Sequence, residues 1–247
     1  MQNVYIIIGD GYASFASDNV ITASALMEKL ASSNRWEGDE KFVMGLGMGR
    51  TEVKILSSAL KSHGLSDIEL PLAPATLMLT HKHHENNVLI SEPRHIAPRQ
   101  YAMQFQFDQT NDRLCDHVTG QHVSAMLLME AARQAAIAAL ELDYGDAFGG
   151  SGIVVERFTS TFNSYAFPLP TSMVARIEEG PATEKNIVVA CVVTFQQAGQ
   201  AVCEMKLEGG IYARTYLAKA EARQAQRAIT TLRELHEAAT EEEGIHG

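Results

Sequence analysis

Two histidines stand just ahead of a long apolar run: His117 and His122, within Cys115-Asp116-His117-Val118-Thr119-Gly120-Gln121-His122-Val123-Ser124. An imidazole titrates near neutrality and can take a proton from an attacking hydroxyl. The run that follows, Val123 to Leu142, is apolar almost all round, as a helix buried inside a domain should be. It nevertheless carries Glu130, Arg133 and Gln134 at i, i+3 and i+4, so three polar side chains share one face. Buried ionisable groups are costly unless paired or used. Two readings follow, a structural Glu–Arg pair anchoring the helix or an active-site helix. In the second, His117 or His122 is the general base. Glu130, its pKa expected to rise on burial, orients a histidine or exchanges protons itself. Arg133 holds Glu130 ionised or neutralises a substrate phosphate, while Gln134, Gln121 and Ser124 complete the substrate-binding set. The start of the helix, near His122 to Ala125, offers free N–H groups and a positive partial charge to a developing oxyanion.

Two other patterns carry less. His81, His83 and His84 lie close together, but no Cys or carboxylate spacing supports a zinc site, so no metal is expected and His83 and His84 read as exposed loop residues. Gly45-Leu46-Gly47-Met48-Gly49-Arg50-Thr51 has the strand-to-helix order of a phosphate-cradling loop. It lacks the spacing of a dinucleotide fingerprint and the Gly-Lys of a P-loop, so a plain glycine-rich turn is the favoured reading.

The elements that must position these residues fall into three stretches. Residues 1–75 alternate strand and helix: a strand at Tyr5–Ile8, a helix from Asp18 (its N-cap) to Ser32, a strand at Phe42–Leu46, a helix from Thr51 to His63 stopped by Gly64, and a third strand at Ile68–Leu72. This predicts a small α/β unit with a parallel sheet, bounded by Pro71 and Pro74. Residues 76–215 begin with a period-two strand in which Tyr101, Met103, Phe105 and Phe107 share one face. After the long helix come only strands, at Ile153–Phe162, Thr171–Ile177, Asn186–Phe195 and Gln200–Tyr212, the last two joined by a hairpin at Gln196-Gln197-Ala198-Gly199. The continuous run Ile187–Val193 reads as a central strand covered on both sides. One buried helix and an antiparallel meander make an α+β hotdog domain, a curved sheet around a helix. Six alanines between Ala131 and Ala139 allow the two to approach closely. Residues 216–247 read as a charged C-terminal helix, packed by Leu217, Ile229, Leu232 and Leu235.

The 247 residues carry a formal net charge of −10 and no basic face, so nucleic acid and anionic membrane are not expected partners. Three cysteines, Cys115, Cys191 and Cys203, form no CxxC and give no disulfide framework. With neither a basic leader nor a membrane-length apolar run, the expectation is a soluble cytoplasmic protein.

Asp116-His117, Gln121-His122-Val123, Met126-Leu127-Leu128 and Glu130-Ala131-Ala132-Arg133-Gln134-Ala135 resemble the signature of the A-factor biosynthesis hotdog proteins. Thr80-His81-Lys82 and Asn87-Val88-Leu89-Ile90-Ser91 are similar to that family's leading strand, and the resemblance spans about residues 78 to 214. It implies an acyltransferase that moves a β-ketoacyl group from a thioester carrier to the hydroxyl of dihydroxyacetone phosphate, in γ-butyrolactone signal synthesis. The implied partners are acyl-ACP or acyl-CoA and a small phosphorylated or alcohol acceptor, with no bound cofactor. Such proteins carry two hotdog units in tandem. Only one is evident here, which suggests a homodimer. A looser resemblance is to the β-hydroxyacyl-ACP dehydratases, with His117-Val118-Thr119-Gly120 in place of the HFPG-like loop and Glu130 in place of the helix carboxylate. Dehydratase or thioesterase chemistry, and a non-catalytic acyl-binding module, are the alternatives.

Overall fold

The computed structural model describes residues 3–32, 36, 39–111 and 120–245, with side chains through residue 236. Near the N-terminus, β1 (Val4–Ile8), β2 (Val20–Thr22), β3 (Lys41–Met44) and β4 (Ile68–Glu69) form a parallel sheet in the order β2-β1-β3-β4. Helices α1 (Ala23–Ala31) and α2 (Arg50–Ser62) supply the crossovers. The helix expected from Asp18 begins instead at Ala23. Val20-Ile21-Thr22 is β-branched throughout and pairs with Ile6–Ile8, and the Thr22 hydroxyl then caps α1 by accepting from the Ala25 N–H at 3.3 Å. The third strand ends two residues in, because Pro71 follows and the Leu72 N–H donates to the Gln104 side chain.

Strands β5 (Arg94–Ala97), β6 (Gln100–Phe105), β7 (Ser151–Phe162), β8 (Thr171–Ala182), β9 (Asn186–Gln197) and β10 (Gln200–Ala213) form an antiparallel sheet in the order β5-β6-β8-β9-β10-β7. It wraps α3 (Ala125–Tyr144), which is the hotdog architecture. The six alanines of α3 between Ala131 and Ala139 are all buried against inward residues such as Met173, Val193, Phe195 and Met205. The β9–β10 hairpin turns through Ala198 and Gly199 at φ 47° and 76°, the left-handed pair a two-residue connection requires. A bulge at Glu208/Gly209 bends β10 against β7, and a Cβ at Gly209 would lie 1.9 Å from the Val154 carbonyl oxygen. Only glycine fits there. β9 is central, as its sequence suggests, but it is not covered on both sides: Cys191, Val193 and Phe195 are buried whereas Val188 is 43% exposed. One face of this sheet meets solvent, as antiparallel sheets permit.

The two sheets share a boundary. Successive residues of β1 point oppositely. Ile7 packs with Leu26, Phe42, Leu56 and Leu60 in a cluster of the N-terminal unit, while Ile8 joins Tyr12 and Leu46 in the cluster around α3. The Leu46 N–H donates to the Pro168 carbonyl at 3.0 Å and the Gly11 N–H to the Gln109 side chain at 2.6 Å.

A last helix, α4 (Arg214–Ile245), leaves the sheet. Leu217 lies against Gly152, but Ile229, Leu232 and Leu235 are 53%, 58% and 63% exposed, so three of the four residues expected to pack it do not. Among the described residues no helix is long and apolar enough to cross a membrane.

Candidate active site at the start of the central helix

Helix α3 begins where its sequence puts a cap. The Ser124 hydroxyl accepts from the Met126 N–H at 3.2 Å, and the Val123 N–H donates to the Ala166 carbonyl at 2.7 Å. That second bond ties the start of α3 to the loop after β7. Between them lies a cavity of about 350 Å³, walled by His122, Val123, Ala125 and Leu128 on one side and Phe162–Ala166 on the other. The His122 ring sits 4.9 Å from the Tyr165 ring, centroid to centroid. The first turn of any helix has N–H groups with no intrahelical acceptor and a positive partial charge. Here that turn borders an apolar pocket that also holds an imidazole.

Glu130 belongs to a different arrangement. At 100° per residue it projects about 200° around α3 from Leu128, away from this cavity. Its Oε1 accepts from Lys82 at 2.5 Å, Arg133 at 2.8 Å and Gln134 at 2.9 Å, and its Oε2 accepts from the Arg133 Nε at 2.8 Å. Burial alone would raise its pKa, as the sequence suggests. The hydrogen bonds from Arg133, Lys82 and Gln134 outweigh burial and bring it down to about 2. The carboxylate is therefore ionised throughout the physiological range.

Gln134 is fully buried and uses both amide hydrogens and its carbonyl oxygen within the chain: it accepts from the Leu89 N–H at 2.9 Å and donates to the Asn87 carbonyl at 2.8 Å as well as to Glu130. Arg133, Glu130 and Gln134 thus strap the segment 82–89 onto α3. That segment continues beside β6, where the Gln106 N–H donates to the Leu89 carbonyl and the Ser91 N–H to the Gln104 carbonyl.

The expected constellation accordingly divides. His122 lines the cavity, and Ser124 caps the helix that borders it. Gln121 is exposed beside them. Glu130, Arg133 and Gln134 form the strap. His117 and Cys115 lie outside the described residues. Sequence reasoning missed Lys82, whose ammonium completes the Glu130 site, and the Phe162–Ala166 wall with Tyr165. Both come from distant segments, and no local periodicity announces them.

The other two patterns also find places. His81 pairs with Glu141 at 2.8 Å, and His83 and His84 are exposed, as expected. The glycine-rich turn does lead into α2 from β3, but the Asp108 carboxylate lies against Gly49, the N-cap of that helix. A Cβ at Gly49 would be 2.4 Å from Asp108 Oδ2. A carboxylate of the chain's own so close to the start of α2 disfavours a phosphate there.

Solved structures similar to this one match it at low identity. They include a thioesterase-type protein related to phenylacetic acid degradation from Ralstonia eutropha, 12% identical with a TM-score of 0.37, covering 49% of this chain and 83% of that one. A mutant thioesterase from Pseudomonas aeruginosa is 10% identical with a TM-score of 0.39, at 50% and 81% coverage. A Helicobacter felis protein is 16% identical with a TM-score of 0.38, at 55% and 86% coverage. No curated protein matches the chain in sequence. The family model of the A-factor biosynthesis hotdog domain matches residues 65–211, well over half of the chain. With that span, which takes in α3 and all of the antiparallel sheet but the last two residues of β10, this chain belongs to the A-factor biosynthesis hotdog family.

Proposed function

We propose that this chain processes acyl thioesters at the cavity beside His122, as a β-ketoacyl transferase of the A-factor type. The observation that carries the reading is the apolar cavity closed on one side by the start of α3 and holding an imidazole in its wall. The acyl chain of a carrier- or CoA-bound substrate occupies the apolar part, with the thioester carbonyl toward the first turn of the helix. His122 accepts the proton of the acceptor hydroxyl. The hydroxyl oxygen bonds to the carbonyl carbon, the oxyanion is stabilised by the helix N-terminus, and the carbon–sulfur bond breaks. The thiolate leaves and takes the proton back from the imidazole. His117, five residues earlier in the chain, is the second candidate base. The acceptor is a small phosphorylated or simple alcohol, and the chemistry needs neither metal nor organic cofactor. A second copy of the chain stands in for the tandem unit.

Glu130 has a positioning role in this scheme, holding the strap that fixes the flank of α3. A carboxylate with a pKa of about 2 is a poor proton donor near neutrality, which weighs against the dehydratase alternative. The same clamp favours one other reading, a non-catalytic acyl-binding module.

The test incubates the purified chain with β-ketoacyl and β-hydroxyacyl thioesters, with and without dihydroxyacetone phosphate, and measures free thiol. Transfer gives thiol only when the acceptor is present. Thiol without acceptor indicates a thioesterase, and loss of water from the β-hydroxyacyl substrate indicates a dehydratase. Saturable binding with no product indicates the binding module.

A further inference from the structure

A second cavity, of about 370 Å³, lies at the seam between the parallel and antiparallel sheets. Met44, Leu46 and Met48, leading from β3 into α2, form one wall, and Phe107, just beyond β6, lies on the opposite one. The linker Leu70–Pro74 crosses it as a roof. That roof is fixed: the Leu72 N–H donates to the Gln104 side chain at 2.8 Å, and the Gln106 side chain donates to the Leu72 carbonyl at 2.7 Å. Two glutamine side chains thus hold the linker against β6, yet Leu70 and Leu72 remain 44% and 52% exposed. Apolar residues held rigidly at the mouth of an apolar cavity mark a place for a ligand.

The charges at the rim say which kind. Arg50 is engaged with Glu85 at 3.0 Å, and Glu69 is neutralised by Lys41 at 2.8 Å. The remaining charged group is Lys54, which is exposed and forms no ion pair among the described residues. One uncompensated ammonium beside an apolar chamber suits a single-headed anion with an apolar tail. The volume gives room for a medium-length chain. Methionine walls adapt to such chains.

We infer that this seam binds a medium-chain carboxylate, at a site separate from the cavity beside His122. The ligand touches both sheets at once, so it couples the N-terminal unit to the hotdog domain.

The experiment titrates the full chain with octanoate by calorimetry and follows thermal unfolding in parallel. The expected result is saturable one-to-one binding that raises the unfolding temperature, since a ligand that binds only the folded chain stabilises it. Octanamide, the neutral isostere, should bind about two- to fivefold more weakly, the worth of one part-exposed ion pair. Lys54→Gln should abolish that difference. Leu72→Asp, on the exposed roof, should weaken octanoate by about tenfold or more, since it loses an apolar contact and adds a like charge. Tyr165→Ala, in the other cavity, should leave octanoate binding unchanged. The inference is overturned by an absence of saturable binding, by binding indifferent to both Lys54→Gln and Leu72→Asp, or by binding lost in Tyr165→Ala.

Discussion

Replacing Glu130 by Gln keeps the size of the side chain and removes its charge, leaving Lys82 and Arg133 facing an amide. The cost follows from the carboxylate's own titration. Its pKa stands at about 2 in the folded chain against an ordinary 4.5. At ~1.4 kcal/mol per pH unit that gap corresponds to about 3.5 kcal/mol of stability. Lys82 and Arg133 keep 20% and 33% of their side-chain surface in solvent, so screening reduces the figure to about 1–2 kcal/mol. The sign is fixed by linkage. A group whose pKa is depressed by folding contributes its stability above the unfolded value and loses it as pH falls through the folded one. Urea denaturation at pH 7 should therefore show the Gln variant about 1–2 kcal/mol less stable than the parent. The difference should shrink progressively below pH 4.5 and be nearly gone at pH 2. A difference that is absent at pH 7, or that stays constant from pH 7 to pH 3, would refute the ionic strap. If turnover on a confirmed thioester falls in the variant, KM should change more than kcat, because the strap positions the site and moves no proton.

Three further outcomes are expected. His122→Ala should fold normally and lower transfer by about 10²-fold or more, the usual worth of a general base; an unchanged rate would move the role to His117 or remove it. Light scattering should give a dimer at micromolar concentration, since β7 is a twelve-residue edge with Val155 and Phe162 exposed; a 27.0 kDa particle would count against pairing. A fragment starting at Thr76 should be less stable than the full chain or aggregate, because it loses Ile8, Tyr12 and Leu46 from the cluster around α3; a fragment as stable as the parent would make residues 1–75 an independent unit.

Much of this was legible in the residues because it is written in local periodicity. The alternation of Tyr101, Met103 and Phe105, the all-round apolar α3 with its alanines, and the Ala198-Gly199 turn each specify one element and one buried face. Boundaries set by long-range pairing were not legible. Val20–Thr22 becomes a strand because β1 lies alongside it, and Ile68–Leu72 stops early because Pro71 follows and Gln104 captures the Leu72 N–H. The sequence of α4 showed no strong apolar face, and its few apolar residues could not say whether a partner is present. Electrostatics was the hardest to read. Sequence spacing brought Glu130, Arg133 and Gln134 onto one face and correctly suggested that they interact. The direction of the Glu130 pKa turned on Lys82, a residue 48 positions earlier whose approach no helical pattern encodes.

The polar residues singled out in the sequence accordingly fall into two physical parts, which share a helix. His122, Val123 and Ser124 shape the beginning of α3, where an exposed first turn and an apolar chamber can address a carbonyl. Glu130, Arg133 and Gln134 act a turn and more further along, where they fasten the 82–89 segment. The two parts are mechanically connected, since α3 is one continuous helix packed in the core from Leu127 to Leu140 and cannot tilt at one end without moving the other. Loosening the strap should therefore alter the chamber without touching it. A residue that is invisible to substrate can be required at a fixed spacing from one that is not, because the helix converts sequence distance into a fixed separation of about 1.5 Å per residue.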